Sequence, residues 1–290
     1  MDTFKDINNI KHFNRSVITI GAFDGIHLGH RALLNTLISS SKKYSTESVV
    51  ITFDPHPMKI VSDNFTNDTI MPLKEKLDVF EKVGIYNVFV ISFDKKFSNI
   101  SAKVFIEDMI IPSFKPLEII IGRNHHFGKN RSGNIDYLYE IEHKYDIKIT
   151  VVEESLLGNR IISSTFLREK IRQGKMEDVI SIMGKRFSLL GKIVRGDGVG
   201  RTLNFPTANI KPISLCQIIP KRGVYSVNLV INGIMYKGMC NIGVKPTFNS
   251  SQKELIEVHV FNIDDVNLYN EKVKLLFNRY IRDEKKFNSK

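Results

Sequence analysis

The stretch SVITIGAFDGIHLGH, Ser16–His30, contains a predicted strand, a glycine-rich turn and the start of a helix. Its first part, Ser16–Ile20, is short, apolar and rich in β-branched residues, as strands are. Gly21 and Gly25 allow the backbone to turn sharply and to approach a phosphate closely. The helix that follows offers free N–H groups and a positive dipole end to an anion. The stretch therefore predicts a strand–turn–helix unit that binds phosphate.

Two histidines lie at the helical end of this stretch. His27 and His30 are three residues apart, so we expect them on one helical face, within reach of the same phosphoryl oxygens. Imidazole groups there would stabilise the charge that grows as a nucleophile attacks an α-phosphate. The alternative is that one histidine only caps the turn. The pair, directly after a strand and a glycine turn, favours the catalytic interpretation.

Outward from this stretch, short apolar strands alternate with segments of helical period. The predicted strands are Ser16–Ile20, Ser48–Phe53, Asn87–Phe93, Leu117–Ile121 and Ile147–Val152. Helices are predicted over Leu73–Val83, which Gly84 ends, and from a Ser101 cap to Ile111, before Pro112. This alternation indicates right-handed crossovers and a mostly parallel sheet, whose ligands bind beyond the carboxyl ends of its strands.

The pattern changes after Ser164. Two short helices, Thr165–Arg172 and Met176–Met183, are predicted to lead to an all-β segment. Its predicted strands are Ser188–Val194, Val224–Ile231, Ile234–Ile242, Ile256–Phe261 and Val273–Tyr280. Asn232-Gly233 predicts a type I′ hairpin turn between two of them. We therefore expect an α/β domain over residues 1–184 and a small closed β-barrel over residues 185–290.

Composition limits the classes of protein that fit. The formal charge of +11 divides into +1 for residues 1–184 and +10 for residues 185–290. The basic residues of the second half are scattered singly, which disfavours nucleic acid as partner and leaves a polyphosphate site or simply a solvated surface as interpretations. The N-terminal stretch is polar and no long apolar run occurs, so neither a secretory signal nor a membrane span is expected. Cys216 and Cys240 lack metal-ligand spacing, and a reduced cytoplasmic setting fits best.

Further segments follow strand ends and a helix start. Thr52–Pro57 leaves the second predicted strand, and Gly122–Lys129 leaves the fourth. Ser164 and Thr165 begin a helix with Arg168 one turn inside, an arrangement that can hold a triphosphate through charge-assisted hydrogen bonds. A plain N-cap is the alternative interpretation.

The β half has its own polar constellation. Gly196, Gly198 and Gly200, followed by Arg201, free backbone N–H groups for an anion nest, although a flexible hairpin loop fits equally well. The loop lacks the P-loop pattern. Thr207 and Asn209 share one face of an extended segment and suit a hard cation such as Mg²⁺.

Glu257 lies in a strand of mixed apolar and polar positions. A carboxylate that points into a barrel mouth could accept the proton of an attacking hydroxyl. The alternative is an ordinary surface residue of a strand.

Together these segments resemble the bacterial bifunctional riboflavin kinase/FAD synthetase family, from about Ser16 to Phe287. The N-terminal motifs are GAFDGIHLGH, TFDPHP, GRNHHFGK and ISSTFLR, and the C-terminal ones are GDGVGR, FPTAN, RGVY, NIGVKPTF and IEVH. The resemblance implies a Rossmann-like FMN adenylyltransferase domain followed by a riboflavin kinase barrel. Arg123 and His125 depart from the family's third motif, and Asn204 replaces a frequent glycine. Members also commonly continue beyond Lys290 into a further helix.

The resemblance also implies residue roles. In the first domain, ATP would contact the loop and helix-start residues Gly21, Phe23, His27, His30, Asn124, Ser164, Thr165 and Arg168. Flavin would lie towards Asp54, Pro55 and His56. In the second domain, Gly196, Gly198, Gly200 and Arg201 would form the nucleotide loop, Thr207 and Asn209 the Mg²⁺ site, and Glu257 the base.

The expected activity is phosphorylation of riboflavin by ATP to FMN, followed by adenylylation of FMN to FAD with release of pyrophosphate. FMN and FAD are then substrate and products rather than redox cofactors. One alternative is adenylyl transfer alone, with an impaired kinase module. A rival from another class is a regulator that binds nucleic acid through its basic half, but the sequence offers no reading helix for one.

Overall fold

The computed structural model describes residues 1–65, 68–195, 207–245, 253–262 and 268–285. The chain divides into two compact units, Met1–Ser164 and Thr165–Lys290. The two helices after Ser164 thus belong to the second unit. The functional boundary expected after Gly184 stays a prediction.

The first unit is built on a six-stranded parallel sheet. Its strands are β1 (Asp2–Phe4), β2 (Ser16–Ile20), β3 (Glu47–Asp54), β4 (Asn87–Ser92), β5 (Pro116–Gly122) and β6 (Lys148–Val152). They are ordered β1-β4-β3-β2-β5-β6, and every neighbouring pair is parallel. The five predicted strands are confirmed to within a residue or two at their ends. The three-residue β1 was missed because it is too short to show a pattern.

Helices cover this sheet and complete its core. They are α1 (Leu28–Lys43), α2 (Met58–Val61), α3 (Leu73–Lys82), α4 (Ile111–Phe114) and α5 (Ile135–Tyr145), and a π-helical segment spans Val104–Ile110. Two short strands, β7 (Leu156–Leu157) and β8 (Arg160–Ile161), form a separate hairpin. All five residues of β2 are buried, because helices on both faces keep a parallel sheet from water.

The expectation that Pro112 ends the preceding helix is wrong. The Ser101 hydroxyl caps the segment as predicted and accepts a hydrogen bond from the Val104 N–H at 3.2 Å. The π-helical turn then runs directly into α4, with Pro112 in the first turn of α4. Proline lacks a backbone N–H and is accommodated here at the junction between the π-helical turn and α4 rather than inside a regular α-helix.

The second unit is a closed barrel preceded by α6 (Ser164–Arg172) and α7 (Met176–Met183). The barrel strands are β9 (Ser188–Val194), β10 (Thr207–Pro212), β11 (Gly223–Ile231), β12 (Ile234–Lys245), β13 (Lys253–Val260) and β14 (Lys272–Arg282). Their order around the barrel is β10-β13-β12-β11-β14-β9. Asn232 and Gly233 both have positive φ, 50° and 83°, which confirms the type I′ turn. The predicted barrel is confirmed.

One carboxylate of the first unit has an unusual number of donors. Glu107, in the π-helical segment, accepts hydrogen bonds from the Lys144 ammonium at 2.5 Å, the Tyr145 hydroxyl at 2.6 Å and the Tyr137 hydroxyl at 2.8 Å. These bonds, led by that of Lys144, lower the pKa of Glu107 to about 2. The cluster joins the π-helical segment to α5.

Replacement of Glu107 by glutamine should make the first unit less sensitive to acid. A carboxylate with a depressed pKa stabilises the fold fully above its ordinary pKa of 4.5, and this contribution disappears as pH falls towards about 2. Between those values the unfolding free energy should fall in the wild type by roughly 1 kcal/mol more than in Glu107→Gln, after allowance for solvent screening. Urea titrations across this pH range measure the difference. Glu140→Gln, an exposed change on α5, is the matched control, and parallel curves for wild type and Glu107→Gln would contradict the assignment.

Candidate active site

The strand order creates a crevice beside β2. The next strand along the chain, β3, pairs with one side of β2, whereas β5 pairs with the other side. Ligands of open parallel sheets bind at such a switch point, beyond the carboxyl ends of the strands. A cavity of about 290 Å³ lies there, lined by the loop after β2, the segments that follow β5 and β6, and residues 161–164.

The loop after β2, residues 21–27, is here called the phosphate loop. It holds Phe23, Gly25 and Ile26 at positive φ values of 50°, 86° and 39°. Glycine tolerates this region, whereas a bulky or β-branched residue is strained in it. Phe23 and Ile26 are fully buried. The carboxylate of Asp24 is also buried and accepts hydrogen bonds from the backbone N–H groups of Ile70 and Met71 at 3.0–3.1 Å. Apolar burial and Asp24 therefore hold the loop in its strained conformation.

The structure combines the two interpretations of the histidine pair. His27 precedes α1 and caps it, because its Nδ1 accepts the His30 N–H at 3.3 Å. Its ring also lines the cavity and stacks on the His30 ring, with 3.7 Å between centroids and 16° between planes. In the neutral form, His27 therefore carries its proton on Nε2. The pair consists of a cap and a first-turn residue rather than two positions on one helix.

Burial keeps the second histidine neutral. Desolvation, followed by the charges of His27 and Lys76, lowers the pKa of His30 well below its ordinary value of 6.5. Within the described residues, His30 Nδ1 is buried without a hydrogen-bond partner. A neutral imidazole beside a phosphate site acts as a hydrogen-bond donor rather than as a fixed positive charge.

The wall of the cavity formed by the segments after β5 and β6 carries paired polar residues. Asn124 donates a short hydrogen bond to Glu154, and Arg123 forms an exposed ion pair with Glu153. His125 lines the same wall, and burial lowers its pKa to about 4. Asn124 thus lies in the cavity where the sequence placed it, with Glu154 as its present partner.

The predicted helix-start residues divide between the two units. Ser164 lines the cavity, and its hydroxyl donates to the Asp24 carbonyl oxygen at 2.8 Å. Thr165 and Arg168 belong to α6 of the second unit, so their assignment to ATP stays a prediction.

The predicted flavin residues follow β3, the strand next to β2. Asp54 ends β3, and the loop of residues 54–57, here called the flavin loop, begins with a cis Asp54-Pro55 peptide. His56 Nδ1 accepts the Met58 N–H at 3.2 Å, and its ring stacks on that of Phe65. His56 Nε2 lies 3.9 Å from the Asp24 carboxylate, so this loop adjoins the phosphate loop.

Sequence reasoning missed Lys76. No role was predicted for it from the sequence, yet its side chain is buried and its ammonium group donates to the Ala22 carbonyl oxygen at 3.0 Å. The one available signal was its position one helical turn before the buried Phe80, on the same side of an amphipathic helix.

The barrel brings the predicted kinase residues onto one surface. Asn209 on β10 lies directly opposite Glu257 on β13, and Thr207 lies two residues from Asn209 on the same face. Cross-strand partners have Cβ atoms roughly 4.5–5.5 Å apart. Glu257 alternates with the buried Ile256 and Val258 and therefore lies on the outer face of the barrel.

Glu257 therefore does not point into the apolar core of the barrel, and its role as a base at the barrel mouth stays a prediction. The apolar positions on either side of it fill the core, so the alternation of the strand turns its carboxylate outward. The grouping with Asn209 is nevertheless present. Gly196, Gly198, Gly200 and Arg201 lie outside the described residues.

The oxygen donors on this face suit magnesium. Thr207 offers a hydroxyl, Asn209 an amide oxygen and Glu257 a carboxylate. Mg²⁺ prefers oxygen ligands and takes few of them from protein, with phosphates and water supplying the rest. Where the structure is described, no group of three or more His, Cys, Asp or Glu residues could hold a metal ion by itself.

No described helix combines the length and hydropathy that a membrane span needs.

Fold and cavity define the class of protein. A parallel α/β unit with a histidine-bearing phosphate loop at its switch point, followed by a six-stranded closed barrel, is a Rossmann-like nucleotide-binding fold with a small β-barrel domain. The family profile for FAD synthetase matches residues 9–166, and the profile for riboflavin kinase matches residues 183–290. The chain belongs to the bifunctional riboflavin kinase/FMN adenylyltransferase family, which confirms the resemblance found in the motifs.

Individual relatives match nearly the whole chain. The bifunctional riboflavin kinase/FMN adenylyltransferase of Buchnera aphidicola from Schizaphis graminum is 37% identical, over 100% of this chain and 93% of the relative. The Bacillus subtilis enzyme of the same name is 33% identical, over 94% of this chain and 86% of the relative. A crystal structure described as a macrolide-efflux protein from Streptococcus pneumoniae superposes with a TM-score of 0.89 at 27% identity, covering 99% of this chain and 93% of that one.

Proposed function

We propose that the chain makes FAD from riboflavin in two steps that each consume ATP. The second unit phosphorylates riboflavin to FMN, and the first unit transfers AMP from ATP to FMN. The observation that carries the proposal is the stacked histidine pair in the cavity beside β2. The family profiles, which match both halves of the chain, support it.

In adenylyl transfer, a phosphate oxygen of FMN attacks the α-phosphorus of ATP and the bond to the β-phosphate bridging oxygen breaks. The attacking phosphate is already ionised, so no residue has to remove a proton from it. We assign His27 and His30 to hydrogen bonds with the phosphoryl oxygens, whose charge grows in the transition state. Gly21 and Phe23 shape the phosphate loop, and Asn124, Ser164, Thr165 and Arg168 bind the nucleotide.

Asp54, Pro55 and His56 form the flavin side of this site. The flavin loop adjoins the phosphate loop at Asp24, which places the two substrate-binding segments at neighbouring strand ends. This adjacency supports an in-line approach of FMN to ATP.

In riboflavin phosphorylation, the terminal ribityl hydroxyl attacks the γ-phosphorus of ATP and ADP leaves. We assign Glu257 as the base that accepts the hydroxyl proton. Mg²⁺, held through Thr207 and Asn209, would neutralise charge on the transferred phosphate. Gly196, Gly198, Gly200 and Arg201 are assigned to the nucleotide loop from the motif alone. We place the enzyme in the cytoplasm, since Cys216 and Cys240 do not form a disulfide with each other.

Product identity tests this proposal. With riboflavin, ATP and Mg²⁺, FMN should appear first and FAD after it, and with FMN in place of riboflavin FAD should form directly. Removal of Mg²⁺ with EDTA should abolish FMN formation. Chromatography of the flavins over time separates the outcomes. FAD from FMN without FMN from riboflavin would instead establish the alternative of an adenylyltransferase with an impaired kinase module.

A further inference from the structure

Lys76 forms hydrogen bonds with the backbone beside both substrate-binding loops of the first unit. Its side chain rises from α3 and the residue is only 4% exposed. The ammonium group donates to the Ala22 carbonyl oxygen at 3.0 Å and to the Phe53 carbonyl oxygen at 3.4 Å. Ala22 belongs to the phosphate loop, and Phe53 is the residue before the flavin loop. One side chain therefore bonds the backbone at both strand ends.

The position of these two carbonyl groups matters for the distance between substrates. Ala22 follows β2 and Phe53 lies near the end of β3, and the two strands are neighbours in the sheet. The Thr52 hydroxyl also donates to the Ala22 carbonyl oxygen, at 3.4 Å. A change in the separation of these groups would change the separation of the loops that start from them.

A buried cation has no advantage for packing alone. Burial lowers the pKa of Lys76, whereas the charges of Asp24 and Asp54 raise it. An apolar side chain would fill the same space between helix and sheet without this desolvation cost. The charge instead lies beside the carbonyl oxygens of Ala22 and Phe53 and near the carboxylates of Asp24 and Asp54.

The phosphate loop needs support of this kind. Phe23 and Ile26 hold left-handed backbone conformations that cost free energy and persist only where surrounding contacts impose them. Asp24 is fixed through Ile70 and Met71, which directly precede the segment leading into α3. Lys76, on α3 itself, bonds the carbonyl oxygen of Ala22, the residue before Phe23. The loop is thus clamped on both sides of Phe23.

We propose that Lys76 is a positioning residue for adenylyl transfer, which holds the phosphate loop and the flavin loop at the separation that aligns the FMN phosphate with the α-phosphate of ATP. The inference rests on the proposed function of this unit. Lys76 touches neither substrate. Its loss leaves each loop able to bind its own substrate but relaxes the alignment between the two.

Steady-state kinetics of the full-length chain test this role. In Lys76→Met, the kcat for FAD formation from FMN and ATP should fall ten- to a hundredfold, since a displacement of about 1 Å can cost about 10²-fold in rate. The KM values for ATP and FMN should stay within threefold of the wild type. Phosphorylation of riboflavin by the second unit is the internal control and should stay within twofold. Lys74→Met, an exposed change on the same helix, should match the wild type throughout.

Each other outcome decides against the proposal. An unchanged kcat, or a raised KM with kcat retained, would overturn it, because Lys76 would then be neutral or would support binding. If Lys76→Met does not fold, Lys76→Gln, which keeps a polar group too short to span both carbonyls, is measured in the same way. Failure of both variants to fold would make Lys76 a residue of the fold and overturn the positioning role. A wild-type chain that makes no FAD from FMN and ATP would instead defeat the proposed function itself.

Discussion

His30→Ala should lower the rate of FAD formation about 10²–10³-fold while FMN formation stays near the wild-type rate. Loss of one donor to developing charge typically costs roughly 2.7–4 kcal/mol in the transition state. His30 lines the cavity of the first unit, whereas the assigned kinase residues lie in the second. The two activities should therefore separate in one variant.

The same substitution also removes the ring on which His27 stacks. Its N-cap contact uses the backbone N–H of residue 30, which alanine retains, so α1 should still be capped. Rates of FAD formation from FMN and ATP, and of FMN formation from riboflavin and ATP, give the measurement. His143→Ala, an exposed change on α5, is the control. Equal loss of both activities in a folded His30→Ala variant would refute the separation of the two sites.

Glu257→Gln should produce the converse pattern, with FMN formation lowered by about 10²-fold or more and FAD formation from FMN retained. General-base catalysis contributes typically about 10²–10⁴-fold, and an amide cannot accept the proton. Glutamine keeps the shape and an amide oxygen opposite Asn209, so binding of ATP should weaken less than turnover.

The exposed Glu254 on the same strand provides the matched control. Glu254→Gln should leave both activities unchanged. Initial rates at saturating riboflavin and Mg-ATP measure turnover, and the KM for ATP reports binding. A Glu257→Gln variant that forms FMN at the wild-type rate would make Glu257 an ordinary strand residue, the alternative its sequence context left open.

Local sequence patterns were sufficient for most of the secondary structure. Ser16–Ile20, Met176–Met183 and Ser188–Val194 were predicted with the bounds that the structure has. These segments express their own periodicity and end at glycine or polar turns. The helix α5, Ile135–Tyr145, was not predicted, although Asn134 caps it by accepting the Tyr137 N–H at 3.0 Å. Its cap was a readable signal that the sequence interpretation did not use.

Part of the site was also readable. His27, His30, Asn124 and Ser164 were placed at strand ends or a helix start, and the structure brings them to one cavity. This succeeded because the carboxyl ends of parallel strands meet at one edge, so residues that follow strands converge there. The face on which Glu257 lies was not readable, since the mixed pattern of its strand did not show which positions fill the barrel.

Local patterns and motifs were enough to predict the strand–turn–helix at Ser16–His30, the alternating α/β half, the β-barrel half and the resemblance to the family. That His27 caps α1, that Glu257 faces outward beside Asn209, and that Lys76 bonds the backbone at two strand ends became visible only in the folded chain. Propensity and periodicity depend on residues close together in the sequence, whereas Lys76 forms a hydrogen bond with Ala22, which lies 54 positions away in the chain. Such contacts depend on strand order and on which side chains lose water, and neither is set by a residue's immediate neighbours.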